Sequence, residues 1–332
     1  MRKNYIPGLA QFYFKVDEDW SKTDAEKMYK KNSFNDQILY SDCIKGMQSL
    51  PEESVDLIIA DPPFGLDFTG KEAVYNRKKE NVVDGYNEVI ENYDSFSEKW
   101  IAELPRILKS SGSAMIFSGW TNLKDVLIAI DKSGLTLKNH IIWKYQFGVF
   151  TKKKFVSCHY HLLYLVKNEK KTYFHRIEHY NEDVWEIKRT YDPEEVKNGT
   201  KLPEQIVKKI IDFLTRPGDV VFDPFMGNGT TAVVAKKNFR HYFGFEMNIN
   251  MKDIIQVHID NAILGENYKS YDREPDIKEL KEKYPKAYKI YVDEQKKVEE
   301  AKLGGIKKVK RKNNGSKKKK IGDEKIDGRI KA

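Results

Sequence analysis

Between Pro51-Glu52-Glu53 and Asp61-Pro62-Pro63 runs Val55-Asp56-Leu57-Ile58-Ile59-Ala60, apolar at odd and even positions alike apart from Asp56. A strand with that pattern keeps no face for solvent, so it must be covered on both sides. Helical layers on two faces of a mostly parallel sheet provide such cover, which makes the chain an α/β protein. The run ends in Asp61, Pro62, Pro63 and Phe64. Ligands of open α/β sheets bind at that carboxyl edge. Proline fixes φ, so the Asp61 carboxylate and the Pro62 carbonyl form two acceptors on a stiff backbone, with the flat ring of Phe64 beside them. An exocyclic amino group on a planar base needs that set. A strand-terminating turn would use the same residues, so the stretch does not decide the matter alone.

The flanking sequence supplies the sheet. Gln37 to Cys43 reads as a short strand with an acidic loop, and Cys43 to Leu50 as a short amphipathic helix. Phe96–Leu108 and Leu123–Ile130 read as helices around a buried strand at Ala114–Phe117; Leu137–Trp143 and Tyr160–Val166 read as antiparallel neighbours. Gln205–Leu214 is a helix opened by Pro203 and Glu204, followed by a strand at Val220–Asp223 and a helix at Thr230–Lys237. A last strand, Tyr242–Glu246, precedes a helix from about Met251 to Ile263. Residues 1–36 show no period and read as an irregular extension. Residues 65–95 and 168–200 are long polar segments, and segments of that kind beside a site are usually functional.

A second stretch, Phe222-Asp223-Pro224-Phe225-Met226-Gly227-Asn228-Gly229-Thr230-Thr231, joins a strand to a helix. Gly227 and Gly229 allow close backbone approach, and the helix beyond them presents free N–H groups. A phosphate loop would continue Gly-Lys-Ser/Thr, which this one does not. A dinucleotide loop remains compatible with the glycines, since Ala232 fits its third position. Asp223 tips the choice: a carboxylate there repels a pyrophosphate and suits a cationic α-amino group. Glu246 falls 17 residues past Gly229 at the next strand end. There a carboxylate can take both hydroxyls of a ribose. An amino-acid head and an adenosine ribose together describe S-adenosylmethionine.

Composition sets the outer limits. With 332 residues, 40% of them hydrophobic, the chain can bury a large core. No apolar stretch approaches the ~20 residues of a membrane helix. The start lacks a secretory core, and Cys43 and Cys158 have neither zinc nor disulfide spacing, so a cytoplasmic protein is expected. Residues 302–332 hold 13 Lys/Arg against 3 Asp/Glu, a surplus of ten where the whole chain carries +9. The body is therefore nearly neutral, and 303–332 reads as a disordered basic tail after a charged helical extension at 263–302.

With both stretches in view, the chain resembles the amino-group DNA methyltransferases, which make N6-methyladenine or N4-methylcytosine. Asp61 to Phe64 matches their catalytic Asp/Asn/Ser-Pro-Pro-aromatic motif, and Asp223 to Thr231 their cofactor loop. Catalytic motif before cofactor motif is the permuted β-type order. The resemblance covers about residues 37–262. It implies a Rossmann-like methyltransferase fold with catalytic half 37–167, a small recognition region 168–200 and cofactor half 201–262. Asp61, Pro62, Pro63 and Phe64 are then catalytic. Asp42, Cys43, Asp61, Lys201, Asp223, Pro224, Phe225, Gly227, Asn228, Gly229, Thr230, Thr231 and Glu246 hold S-adenosylmethionine, and no metal is required. Lys152, Lys153, Lys154, Arg77 and Lys78 are the candidate contacts to double-stranded DNA. Small departures occur at Trp143-Lys144, at Lys201-Leu202-Pro203 and at His159-Tyr160, where the family has a His-Glu pair, so Tyr160 receives no role.

Further implications follow from the same resemblance. An Asp first and an aromatic last resemble the adenine enzymes, while the cytosine-N4 group more often opens with Ser. Some RNA adenine methyltransferases share the catalytic tetrad, but the permuted order of the two motifs argues against them. A degenerate, non-catalytic nucleic-acid-binding protein is the remaining alternative. The family often dimerises, and a cognate restriction endonuclease accompanies members of restriction–modification systems, though not orphan methylases.

Overall fold

The computed structural model describes residue 16 and residues 18–64, 92–146, 148, 152–178, 180–189 and 201–271, with scattered helical positions from 281 to 300. Two compact units emerge. One runs from Lys15 to Arg273; the other joins Met1–Phe14 with Glu274–Ala332, and its described residues are helical. The expected tail at 303–332 lies outside the described residues. No described helix is long and apolar enough to cross a membrane.

The first unit is built on an eight-stranded sheet. Its elements in chain order are α1 (Lys22–Lys31), β1 (Gln37–Leu39), α2 (Cys43–Gln48), β2 (Val55–Ala60), α3 (Tyr93–Ile101), α4 (Leu104–Ile107), β3 (Leu108–Ser118), α5 (Leu123–Ser133) and β4 (Thr136–Lys144). After these come β5 (His159–Val166), β6 (Val184–Glu186), α6 (Glu204–Leu214), β7 (Val220–Asp223), α7 (Thr230–Lys237), β8 (His241–Phe245), a short 3-10 turn and α8 (Lys252–Asn261). Across the sheet the order is β1-β8-β7-β2-β3-β5-β4-β6. Among the described strands only β5 runs against its neighbours.

The apolar run behaves as its pattern demands. Leu57 and Ile59 join one core with α6, α7 and α8, whereas Ile58 and Ala60 join a second core with α2 to α5. Its one polar member works at the amino end: the Asp56 carboxylate accepts from Lys109 Nζ at 2.7 Å and from the Val220 N–H at 2.9 Å, tying β2 to both neighbours. From β2 the chain passes to β3 under one helical layer, while β7 passes to β8 under the other. The crevice between β2 and β7 is thus the topological switch point of the sheet, where α/β proteins hold their ligands.

Three departures from the sequence reading have physical causes. Residues 18–36, expected to be irregular, contain α1, capped by Ser21 Oγ accepting from the Asp24 N–H at 3.1 Å. Only Ala25 of that helix is buried, too thin an apolar signal to show as a period. The helix expected at 96–108 starts at Tyr93 and breaks before Leu104, where Pro105 opens a single turn, and Leu108 already belongs to β3. The segment 168–200 contributes an edge strand, β6, whose Trp185 is buried with Ile187 in the core.

Candidate active site

Sheet order alone brings the two motifs together. β2 pairs with β7 through Ile58 and Phe222, so Asp61 and Asp223 leave adjacent parallel strands at the same edge. Asp61 lies two residues further out, on the order of 7 Å at the rise of a parallel strand. β7 pairs with β8 and β8 with β1, which puts Glu246 and Asp42 on that edge as well. Four carboxylates on one rim favour a ligand carrying positive charge.

On the β2 side, Pro62 is buried and Asp61 half-buried. Phe64 is held from two sides. Its carbonyl accepts from the side-chain amide of Asn122, at the start of α5. Its ring meets Tyr160 with centroids 5.1 Å apart. Gly119 faces that ring across a space in which a Cβ would make only an ordinary contact, 3.6 Å from it. Tyr160 in turn packs on Trp143 and Tyr145 at 5.7 and 5.5 Å, so Phe64 is one end of an aromatic wall on β4 and β5. Tyr93 of α3 is buried nearby. Burial first, then the Asp61 charge, push its phenol well above the usual range, so it stays a neutral donor. Sequence reasoning missed Asn122, Tyr93 and Tyr160. Tyr160 was set aside for departing from a family pair, although an aromatic there continues the wall begun by Trp143.

The glycine loop is closed by its own carboxylates. Asp223 is 3% exposed; its Oδ1 accepts from the Phe225 N–H at 2.9 Å and its Oδ2 from Thr231 Oγ1 at 2.6 Å. Burial pushes its carboxyl up to about 7, with Glu246 adding to the rise and the two hydrogen bonds opposing it. Glu246 Oε2 accepts from the Gly227 N–H at 2.7 Å and Oε1 from the Asn248 N–H at 2.8 Å. Burial raises its pKa too. Phe225 is clamped edge-on against Trp100 of α3 at 5.2 Å. His258 of α8 hydrogen-bonds the Asn228 carbonyl at 3.1 Å.

Two glycines do different work there. Gly229 caps α7 at φ +77, and a Cβ on it would strike Ile255 at 2.8 Å. Gly227, at φ +54, faces space in which a Cβ would meet only the Phe225 carbonyl oxygen at 3.6 Å. The first glycine serves packing; the second leaves room. Thr230 and Thr231 are buried in the first turn of α7, and Pro224 stands between Asp223 and Phe225 at the strand end.

The remaining expected residues divide. Asp42 caps α2, its Oδ1 accepting from the Lys45 N–H at 2.9 Å. The Cys43 side chain lies in the core with Met47, Ile58 and Phe245; burial lifts its thiol to about 12, so it is no nucleophile. Lys201 is half-buried just ahead of α6, at the same edge. Lys152, Lys153 and Lys154 are exposed on the connection from β4 to β5, also at the carboxyl edge. Arg77 and Lys78 lie outside the described residues.

Comparisons with known proteins agree with this geometry. A family model described as DNA methylase, N6_N4_Mtase, matches residues 55–257. The type II methyltransferase M.HinfI of Haemophilus influenzae is 32% identical over 246 residues, spanning 68% of this chain and 68% of that protein. Among solved structures, the M1.HpyAVI–SAM complex matches with a TM-score of 0.52 at 22% identity, covering 68% of this chain and 98% of that one. The cytosine-N4-specific PvuII DNA methyltransferase matches at 0.54 with 18% identity, covering 72% and 97%. These two likenesses are of fold.

Proposed function

This chain belongs to the N6/N4 DNA methylase family, and we propose that it methylates the N6 amino group of adenine at a defined site in double-stranded DNA. The methyl donor is S-adenosylmethionine, and the residues present suit it. Gly227 leaves open the space a Cβ would take, and the buried carboxylates of Asp223 and Glu246 flank the loop. Asp223 suits the α-amino group, Glu246 the ribose hydroxyls, and Asp42 the adenine end. When bound, the donor supplies an electrophilic methyl on a sulfonium.

The carrying observation is the switch-point crevice, with Asp61-Pro62-Pro63-Phe64 on β2 and the glycine loop on neighbouring β7. The target amino group cannot be reached inside a duplex, so the base must be rotated out into the crevice. Asp61 and the Pro62 carbonyl then accept the two amino hydrogens. That reduces conjugation of the nitrogen lone pair with the ring and aims it into the crevice. Phe64, held by Asn122 and Tyr160, stacks on the base; such stacking is worth about 1–3 kcal/mol. Holding both reactants in line contributes much of the remaining acceleration.

Adenine is favoured over cytosine by the Asp-first, aromatic-last form of the tetrad, which resembles the adenine enzymes. Incubation of the full chain with labelled S-adenosylmethionine and mixed-sequence duplex, then nucleoside mass spectrometry, should yield N6-methyladenine. Label confined to N4-methylcytosine would reverse the base assignment, and label on RNA alone would remove DNA as substrate. Sequencing with modified-base detection gives the recognition site, and size-exclusion with light scattering the assembly.

A further inference from the structure

Just past β6, the aromatic wall ends in an arginine whose surroundings differ from those of the other arginines described. The Arg189 backbone is pinned on both sides by Gln146: its N–H donates to Oε1 at 2.8 Å and its carbonyl accepts from Nε2 at 3.0 Å. Nearby, Trp143 Nε1 donates to the Ile187 carbonyl at 2.8 Å, which fixes the segment to β4. The guanidinium lies over Tyr145 at 4.0 Å and Tyr160 at 4.9 Å. Tyr160 is the ring that touches Phe64, so this cation stands one side chain behind the catalytic tetrad.

Its Nε and Nη2 are buried and have no hydrogen-bond partner among the described residues. These two atoms share one edge of the guanidinium and donate in parallel. Arg216 shows what that edge does when filled, for its Nε and Nη2 each lie 3.0 Å from one oxygen of Glu18. Buried Arg240 fills the same two atoms with the hydroxyl and carbonyl of Thr215. Stacking on two rings stabilises a cation by a modest amount. A buried donor pair left unmade still carries a desolvation cost. At Arg189 the chain bears that cost beside its own active site.

We propose that Arg189 grips the DNA strand carrying the target base, its Nε–H and Nη2–H donating side by side to a matched pair of acceptors on that strand. Two chemistries present such a pair: the non-bridging oxygens of a phosphate, and the N7/O6 edge of a guanine. The proposal rests on the DNA-methyltransferase reading above. It makes Arg189 a positioning residue, which fixes where the strand enters and leaves the methyl transfer itself to Asp61.

The test uses Arg189→Lys and Arg189→Gln in the full chain. Duplex binding is measured over a salt series, alongside S-adenosylmethionine affinity, melting temperature and the sites methylated. Lysine keeps the charge and loses the fork. Both variants should lose about tenfold to a hundredfold in DNA affinity, within the range for one bidentate contact. Cofactor affinity should stay within about twofold. Melting temperature should change little, because neither N–H of that edge makes a hydrogen bond within the free chain. A phosphate partner lowers the salt slope of the Gln variant by about one, alike on all sequences. A guanine partner leaves that slope and relaxes the recognition site at one position. Wild-type DNA binding in both variants would overturn the proposal, as would a fall in melting temperature that takes DNA and cofactor affinity down together. A wild-type chain that methylates no DNA would instead sink the functional reading beneath it.

Discussion

The two walls of the crevice are built on opposite plans. On the β7 side both carboxylates already have work inside the chain. Asp223 holds Phe225 and Thr231, Glu246 holds Gly227 and Asn248, and both carboxylates are nearly sealed from solvent. On the β2 side Pro62 is buried while Asp61, Pro63 and Phe64 are partly exposed, and Phe64 is held by aromatic contacts and by the Asn122 amide. On the proposed reading, the difference matches what each wall would receive. A cofactor is the same molecule at every turnover, so a site shaped in advance costs little when it binds. A base arrives attached to a duplex and must be turned through a large angle, so its wall has to be open at the edge. Hydrogen bonds to the loop's own N–H groups preorganise the β7 wall, and ring packing holds Phe64 on the other.

The contrast is broken most severely at Asp61. Asp61→Ala should lower methyl transfer by about a hundredfold to a thousandfold or more, the range for removing one group that stabilises the reacting centre. S-adenosylmethionine binding, measured by calorimetry, should change little, because the loop on β7 is complete without Asp61. Equal loss of transfer and cofactor affinity would mean that the two walls are not separable.

The two loop glycines sharpen the same contrast within one wall. Gly229→Ala places a Cβ 2.8 Å from Ile255 at φ +77, and we expect about 1–3 kcal/mol of lost stability. Gly227→Ala meets open space at φ +54 and should cost the fold less. On the proposed reading its Cβ would occupy room that the cofactor needs, so affinity should fall further than stability. Thermal melts with and without S-adenosylmethionine separate the effects: Gly229→Ala should lower both curves in parallel, while Gly227→Ala should lose most of the ligand-induced rise. The reverse pattern would exchange the two roles.

Much of this architecture was legible because it rests on local signals. The apolar run of β2, the Pro-Pro turn and the strand–glycine–helix passage at Asp223 each announce themselves within ten residues. What sequence could not give was lateral order. Nothing in Val55–Phe64 says that its neighbour is Val220–Asp223, some 160 residues away; the family resemblance supplied that. Nor did any local pattern show that Asp223 and Glu246 would spend their oxygens on the loop's own N–H groups. The aromatic wall was invisible for a related reason. Phe64, Trp143, Tyr145 and Tyr160 come from three separate stretches, and Tyr160 read as a departure from a motif. Arg189 looked like one more charge in a polar segment, since its isolation depends on which rings lie beneath it.

The smallest expected effect bears on how complete the β7 wall is before the cofactor arrives. Burial pushes the Asp223 carboxyl up to about 7, far above its range in an unfolded chain. Between those values the folded protein holds a proton that the unfolded chain releases. This group's contribution to stability therefore falls as pH rises from about 4 to 7 and is flat beyond, with a limiting slope of about 1.4 kcal/mol per pH unit. Cofactor binding runs the other way. If Asp223 accepts from a cationic amino group, the ionised form binds best, and affinity should climb with pH up to about 7. Below about pH 7.5 an α-amino group is still mostly protonated, so calorimetry from pH 5.5 to 7.5 isolates the carboxylate. Affinity should rise up to tenfold per unit in the lower part of that window, and Asp223→Asn should bind more weakly with no such rise. A flat wild-type profile would mean that Asp223 only braces Phe225 and Thr231, leaving the amino group to another acceptor on the rim.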